Sequence, residues 1–303
     1  MEPQYGHTAG SYPAPPDMLS ENTETNGVPL SADRHILRLN EGGELLPAFL
    51  IPGAGGLADS YFGLARAFAE IPVYGLHMMG TQKGERPFST IQEMAEQNIR
   101  WMRAIQPAGP YCILGHSFGG HVAYEMGHQL EKMGQAVSLV GILDVWAGYS
   151  GIRLTDQNKV DFVLNLAADY YRDFDIIREP YPEWVGQLAN NLSAKPLDKI
   201  VPYVGTFLKE NVSGLDEAID FVTRLIDLRL YNAQMNYRPE QLLSAELIVF
   251  QTRSIETDNA MGWGPFGQNV RAILLPGNHD MLQPENIGVI SQELNSRLGP
   301  SRD

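Results

Sequence analysis

Tyr111-Cys112-Ile113-Leu114-Gly115-His116-Ser117-Phe118-Gly119-Gly120 reads as a buried strand that runs straight into a sharp turn with Ser117 at its tip. Tyr111 to Leu114 form the apolar run of the strand. Gly115, Ser117 and Gly119 spell G-x-S-x-G, the spacing of a nucleophile elbow, with Gly120 after it. Small residues are required two before and two after the serine, because the turn packs strand against helix too closely for side chains and leaves the Ser117 hydroxyl exposed. The pentapeptide alone is a weak signal, since glycine and serine are common. Its context carries it: beyond the turn, Val122, Ala123, Met126, Leu130 and Met133 recur at helical spacing, and Gly134 stands where a helix C-cap is expected.

Working outward, 303 residues of which 44% are apolar suffice for a full core, and one α/β domain with an insertion accounts for the length. A net charge of -14 disfavours nucleic acid and anionic membrane surfaces as partners, because neither attracts an acidic chain. The single cysteine, Cys112, excludes an internal disulfide, and its place in the strand marks it as core, consistent with a reducing cytoplasm. No apolar run has the length of a membrane span, and the N-terminus lacks a basic region followed by an apolar one.

Residues 1–30, with Pro13, Pro15, Pro16 and a polar run from Ser20 to Gly27, hold too few large apolar groups to pack and are expected to form a flexible leader. Residues 31–303 are expected to form the folded domain. Ile36 to Leu39, the turn signal Glu41-Gly42-Gly43 and Pro47 to Ile51 suggest a hairpin whose second strand is central. That strand ends in Pro52-Gly53-Ala54-Gly55-Gly56, followed by a helix with Tyr61, Leu64, Ala65 and Phe68 on one face. A Gly-rich loop in this position points backbone N–H groups at an anion. The spacing of a phosphate cradle is absent, so an oxyanion loop fits better, with the N–H groups of Ala54 and Phe118 as its two donors. Val73 to Leu76 reads as a short strand. Ser89 and Gln92 suggest a capping box for a helix carrying Ile91, Met94, Ala95, Ile99, Met102 and Ile105. The alternation of strand and helix implies a mostly parallel sheet with helices on both faces and a site at the strands' C-terminal ends.

Val137 to Leu143 reads as the next buried strand and ends in Asp144, well placed to hold a histidine. From about 147 to 245 the alternation gives way to helical patterns, read as a lid inserted into the sheet domain. The sheet resumes at Glu246 to Gln251 and at Val270 to Leu275, and a helix from Pro284 to about Leu298 closes the chain. His279, in the loop after the last strand, is the only histidine late in the chain and is the candidate base. His35 and His77 read as loop or edge residues, His121 and His128 as solvated or locally satisfied on the elbow helix, and His116 as pocket lining. Ser117, Asp144, His279 is the chain order of α/β-hydrolases. Asp258 and Glu256, after the following strand, are rival acids, with Asp144 preferred.

From about Pro47 to Leu298 the sequence resembles the thioesterase domains that end nonribosomal peptide and polyketide assembly lines. The resemblance rests on Ile51-Pro52-Gly53-Ala54-Gly55-Gly56, Gln106-Pro107-Ala108-Gly109-Pro110-Tyr111, Gly115 to Gly120, Ala123-Tyr124-Glu125-Met126 and Leu143-Asp144. It implies an α/β-hydrolase fold with a variable helical lid, and an acid after the strand that follows the elbow helix, which favours Asp144. It also implies attack by Ser117 on an acyl or peptidyl thioester held on a carrier protein's phosphopantetheine arm. Release would be to water or to an internal nucleophile, with no metal or organic cofactor bound by this chain. The carrier partner is expected as a separate chain or an upstream domain. Where many members have serine after the acid, this chain has Val145-Trp146, and where many have tryptophan before the nucleophile it has His116. Both differences touch the pocket. A stand-alone editing thioesterase, an esterase of small soluble esters and a non-catalytic hydrolase-fold binding module are the competing readings.

Overall fold

The computed structural model describes residues 34–68, 70–177, 188–189, 191–252, 260–276 and 282–298. The leader expected over 1–30 lies outside them. Seven strands among the described residues form one sheet: β1 (Ile36–Arg38), β2 (Ala48–Ile51), β3 (Val73–Leu76), β4 (Tyr111–His116), β5 (Val137–Leu143), β6 (Leu243–Gln251) and β7 (Gly267–Leu274). Their order is β1-β3-β2-β4-β5-β6-β7, and every pairing is parallel except that of β1 with β3. The last two strands each begin three residues earlier than their apolar runs suggest, because Leu243 pairs with Gly267 ahead of the main register.

The sheet is covered on both faces, as a parallel sheet must be. Alternate residues of β5 point to opposite layers. Leu139 and Leu143 join Leu50, Cys112 and Leu114 in a core shared with Leu64 and Phe68 around α1 (Phe62–Arg66) and with Ile290 and Leu294 of the C-terminal helix (Pro284–Leu298). Val140 and Ile142 meet the other layer. There the elbow helix α3 (Phe118–Lys132) lies so close that a Cβ on Gly127 would stand 2.9 Å from Val140 and one on Gly120 3.3 Å from Ile142. The helix α2 (Ile91–Ile105) packs beside α3.

Two local expectations are corrected. Strands β1 and β2 do not form a hairpin: Ile36, Leu37 and Arg38 pair with Leu76, Gly75 and Tyr74 of β3. Asn40 supplies the reason. Its amide nitrogen lies within 3.0 Å of the carbonyls of Ala65, Phe68 and Ile71, and its oxygen accepts from Val73 N–H at 2.8 Å. The connection is thereby tied to the chain entering β3, and β1 is carried to the outer side of that strand. The capping box of α2 is shifted by one residue from Ser89 and Gln92: Thr90 is the N-cap and accepts from Glu93 N–H at 3.1 Å, while the Glu93 carboxylate accepts from the N–H groups of Thr90 and Ser89 and from the Ser89 hydroxyl. One carboxylate thus serves both Ser89 and Thr90.

The described residues divide into two compact units, one built on the sheet and one comprising 80–85 with 151–234. Where the helical patterning marks about 147 to 245, residues 147–150 and 235–242 belong to the sheet unit, and Tyr149 and Tyr237 form an antiparallel bridge there. The other unit has its own core, in which α4 (Lys159–Asp173), α5 (Leu197–Asn211) and α6 (Asp216–Ala233) bury Val163, Leu164, Ile200, Val204, Ile219 and Ile226 against one another.

Candidate active site

The register of the central strands sets the site. Ile51 lies opposite Gly115, His116 opposite Leu143, and Leu143 opposite Phe250, so the C-terminal ends of β2, β4, β5 and β6 fall together. The loop Pro52 to Gly56, Ser117, Asp144 and Thr252 all leave the sheet at that end, the usual place for chemistry in an open α/β sheet.

Ser117 has φ +51° and ψ -126°, a backbone conformation that side-chain-bearing residues rarely adopt. Two contacts hold it there: its N–H donates to Leu143 O at 2.8 Å, and its carbonyl accepts from Gly120 N–H at 2.8 Å. The flanking glycines are steric requirements. A Cβ on Gly115 would stand 2.2 Å from Gly119 O, and one on Gly119 2.3 Å from Pro52 O. Ser117 is the N-cap of α3, yet its side chain makes no capping bond, so the hydroxyl is not consumed by its own helix. Phe118 opens that helix, where N–H groups have no intrahelical acceptor.

The Gly-rich loop lies beside this turn, since a Cβ on Gly53 would be 3.8 Å from both Ser117 Cβ and His116 Nδ1. Gly53 N–H donates to the Tyr61 hydroxyl at 3.2 Å, and Gly56 N–H to Gly53 O at 2.9 Å. Ala54 lies between these anchors. His116 Nδ1 lies 2.6 Å from the Tyr61 hydroxyl.

Asp144 ends β5 in a left-handed conformation, φ +53°, with its N–H on Phe250 O at 2.8 Å. The carboxylate is buried, and Thr252 grips both of its oxygens: Thr252 N–H donates to Oδ1 at 2.8 Å and the Thr252 hydroxyl to Oδ2 at 2.9 Å. Charge-assisted bonds of this kind hold a carboxylate in one orientation. Sequence reasoning missed Thr252 and Tyr61. Thr252 could have been found from the alignment of the β5 and β6 ends, whereas Tyr61 counted only as one apolar position of a helix face. His279 and the rival acids Asp258 and Glu256 lie outside the described residues.

The remaining histidines are more buried than their positions suggest. His35 precedes the edge strand β1 and His77 follows β3, as expected, but both are buried: His35 stacks on Trp101 at 4.6 Å and His77 accepts from Ala58 N–H at 3.1 Å. His121 is fully buried, donates through Nε2 to Trp146 O at 2.9 Å and sits among Tyr149, Tyr237 and Trp263 rather than in solvent. Burial lowers its pKa to about 4, so it stays neutral at neutral pH. Trp146 is 44% exposed. Trp263 fixes the segment after the acid, donating from Nε1 to Val145 O at 2.7 Å. Cys112 is core, its thiol pushed up to about 12 by burial.

A strained serine between a parallel strand and a helix, with a carboxylate at the tip of the next strand, defines the α/β-hydrolase class. Residues 47–165 match the family model described as Thioesterase domain. The chain is 37% identical over 295 residues to the dimodular nonribosomal peptide synthase of Bacillus subtilis (strain 168), covering 92% of this chain and 11% of that protein. Two solved thioesterase domains share its fold. That of NocB, from the nocardicin cluster, matches with a TM-score of 0.58 at 20% identity, over 88% of this chain and 100% of the other. That of Vlm2, solved with a bound dodecadepsipeptide, matches with a TM-score of 0.58 at 22% identity, over 88% and 98%. The chain thus matches the Thioesterase domain model over residues 47–165 and shares the fold of these solved thioesterase domains. It spans 20% or less of the length of the first curated relatives it matches, indigoidine synthase of Streptomyces lavendulae and the Bacillus synthase. No described helix is long and apolar enough to cross a membrane.

Proposed function

We propose that this chain releases an acyl or peptidyl group from the phosphopantetheine thioester of a carrier protein, through an acyl-Ser117 intermediate. The observation that carries the reading is the turn itself, with Ser117 at φ +51° and the buried Asp144 carboxylate at the end of the neighbouring strand. A serine hydroxyl is a weak nucleophile at neutral pH and needs an adjacent base. In this reading His279 takes the Ser117 proton as Oγ attacks the thioester carbonyl, and Asp144 holds the imidazole in the right tautomer and stabilises its charge. The N–H groups of Ala54 and Phe118 receive the oxyanion. When the intermediate collapses, the carbon–sulfur bond breaks, the thiol leaves with the proton from His279, and the acyl group stays on Ser117. Water, or an amine or hydroxyl of the acyl chain, then attacks the ester with His279 again as base, giving a free acid or a ring.

Several observations support the assignment of roles. Strand β7 pairs Leu274 with Gln251, so the chain leaves it at the same end of the sheet, five residues before His279. Thr252 already orients the Asp144 carboxylate. The solved Vlm2 domain is titled with a dodecadepsipeptide, a peptide-like chain of the class proposed here. The phosphopantetheine belongs to the substrate's carrier, so the chain itself needs no bound cofactor, and the cytoplasm, where carriers are loaded, is its place of action.

The test is mass spectrometry after brief incubation with an acyl N-acetylcysteamine thioester. An acyl adduct on Ser117 is expected in the wild type, none in Ser117→Ala, and one formed about 10⁴-fold more slowly in Asp144→Asn. No adduct and no thiol release from the wild type would sink acyl-serine chemistry and favour a binding module.

A further inference from the structure

A loop made of Gly53, Ala54, Gly55 and Gly56 has almost no side chains by which to anchor itself, yet an oxyanion donor must be fixed to within a few tenths of an ångström. Among the described residues, the side chain of Tyr61 reaches the loop from outside it. The hydroxyl of Tyr61, a residue only 3% exposed, accepts from Gly53 N–H at 3.2 Å and lies 2.6 Å from His116 Nδ1. A hydroxyl can accept from Gly53 N–H and at the same time share a hydrogen bond with His116 Nδ1, the direction of the second set by the imidazole tautomer. The rings of Tyr61 and His116 meet edge to face, centroids 5.7 Å apart.

We propose that Tyr61 is a positioning residue that couples the Gly-rich loop to the nucleophile turn, holding Gly53 on one side and the residue before Ser117 on the other, and so sets where the Ala54 N–H points. Gly53 N–H is held by this link and Gly56 N–H by the turn it closes onto Gly53 O, so the loop is anchored on both sides of Ala54. This inference rests on the thioesterase reading and deepens it.

Steady-state kinetics with an acyl N-acetylcysteamine thioester, run on the full chain, test it. Tyr61→Phe keeps the ring and loses the link, so kcat is expected to fall about 30-fold while KM stays within about twofold, because the oxyanion forms only in the transition state. His116→Ala should lose a similar factor, the double variant no more than either single one, and His116→Asn, whose Oδ1 reaches the place of Nδ1, should recover part of what the alanine loses. A Tyr61→Phe enzyme with kcat within about twofold of wild type, or losses that multiply in the double variant, would overturn the proposal alone. A wild-type chain that forms no acyl-Ser117 adduct would overturn the thioesterase reading and the proposal with it.

Discussion

Gly119 shows how a single residue decides whether the turn exists. Its missing Cβ leaves room for Pro52 O and Ile51 O, which an added methyl would meet at 2.3 and 2.4 Å, both backbone atoms that cannot swing aside. Gly119→Ala should therefore cost about 1–3 kcal/mol, read as a lower denaturant midpoint, and abolish labelling of Ser117 by a fluorophosphonate. Gly134, at φ +72° with nothing within 4 Å of a built Cβ, is the contrast. Gly134→Ala should cost about 1–2 kcal/mol through backbone strain and leave labelling intact. His121 makes a different prediction. Its folded pKa is lowered to about 4 from 6.5 by burial, so between those values the unfolded chain binds the extra proton and acid destabilises the fold. Stability should fall as pH drops from about 6.5 towards 4, by on the order of 3 kcal/mol in all, and the slope should flatten in His121→Gln when midpoints are compared across pH.

At the scale of elements, the helix α2 was legible down to its apolar face, and only its first residue was misread. The reason is physical: Ser89 and Thr90 are both competent caps, and the Glu93 carboxylate bonds to both, so the choice between them depends on Thr90 adopting φ -137° and ψ 154°. Thr90→Ala should lower stability by about 1 kcal/mol in urea denaturation. The hairpin expected between β1 and β2 failed for a related reason. Local alternation and a Gly42-Gly43 turn are compatible with either neighbour, and the choice of β3 is made by Asn40, which binds groups 25 to 33 residues away.

Over the whole molecule, the sheet unit and the helical unit 80–85 with 151–234 each carry a separate apolar core. Ile226 is wholly buried in the helical one. Ile226→Ala should cost that unit about 2–5 kcal/mol. Hydrogen exchange should show this as lost protection in α4 to α6, with the amides of β4 and β5 unchanged; a uniform loss across both would mean that the two cores unfold as one.

The elbow, the parallel sheet, Asp144 at the end of β5 and the C-terminal helix Pro284–Leu298 were all legible in the sequence, because each depends on local pattern: buried apolar runs, obligatory glycines and the short offsets of a strand–turn–helix unit. Tertiary structure alone decided the placement of β1, the burial of His35, His77 and His121, the grip of Thr252 on Asp144 and the link from Tyr61 to His116. These are contacts between residues far apart in sequence, 108 positions for Thr252 and Asp144, and the energy that selects the polar ones comes from desolvated groups finding partners. No window of sequence contains both members of such a pair.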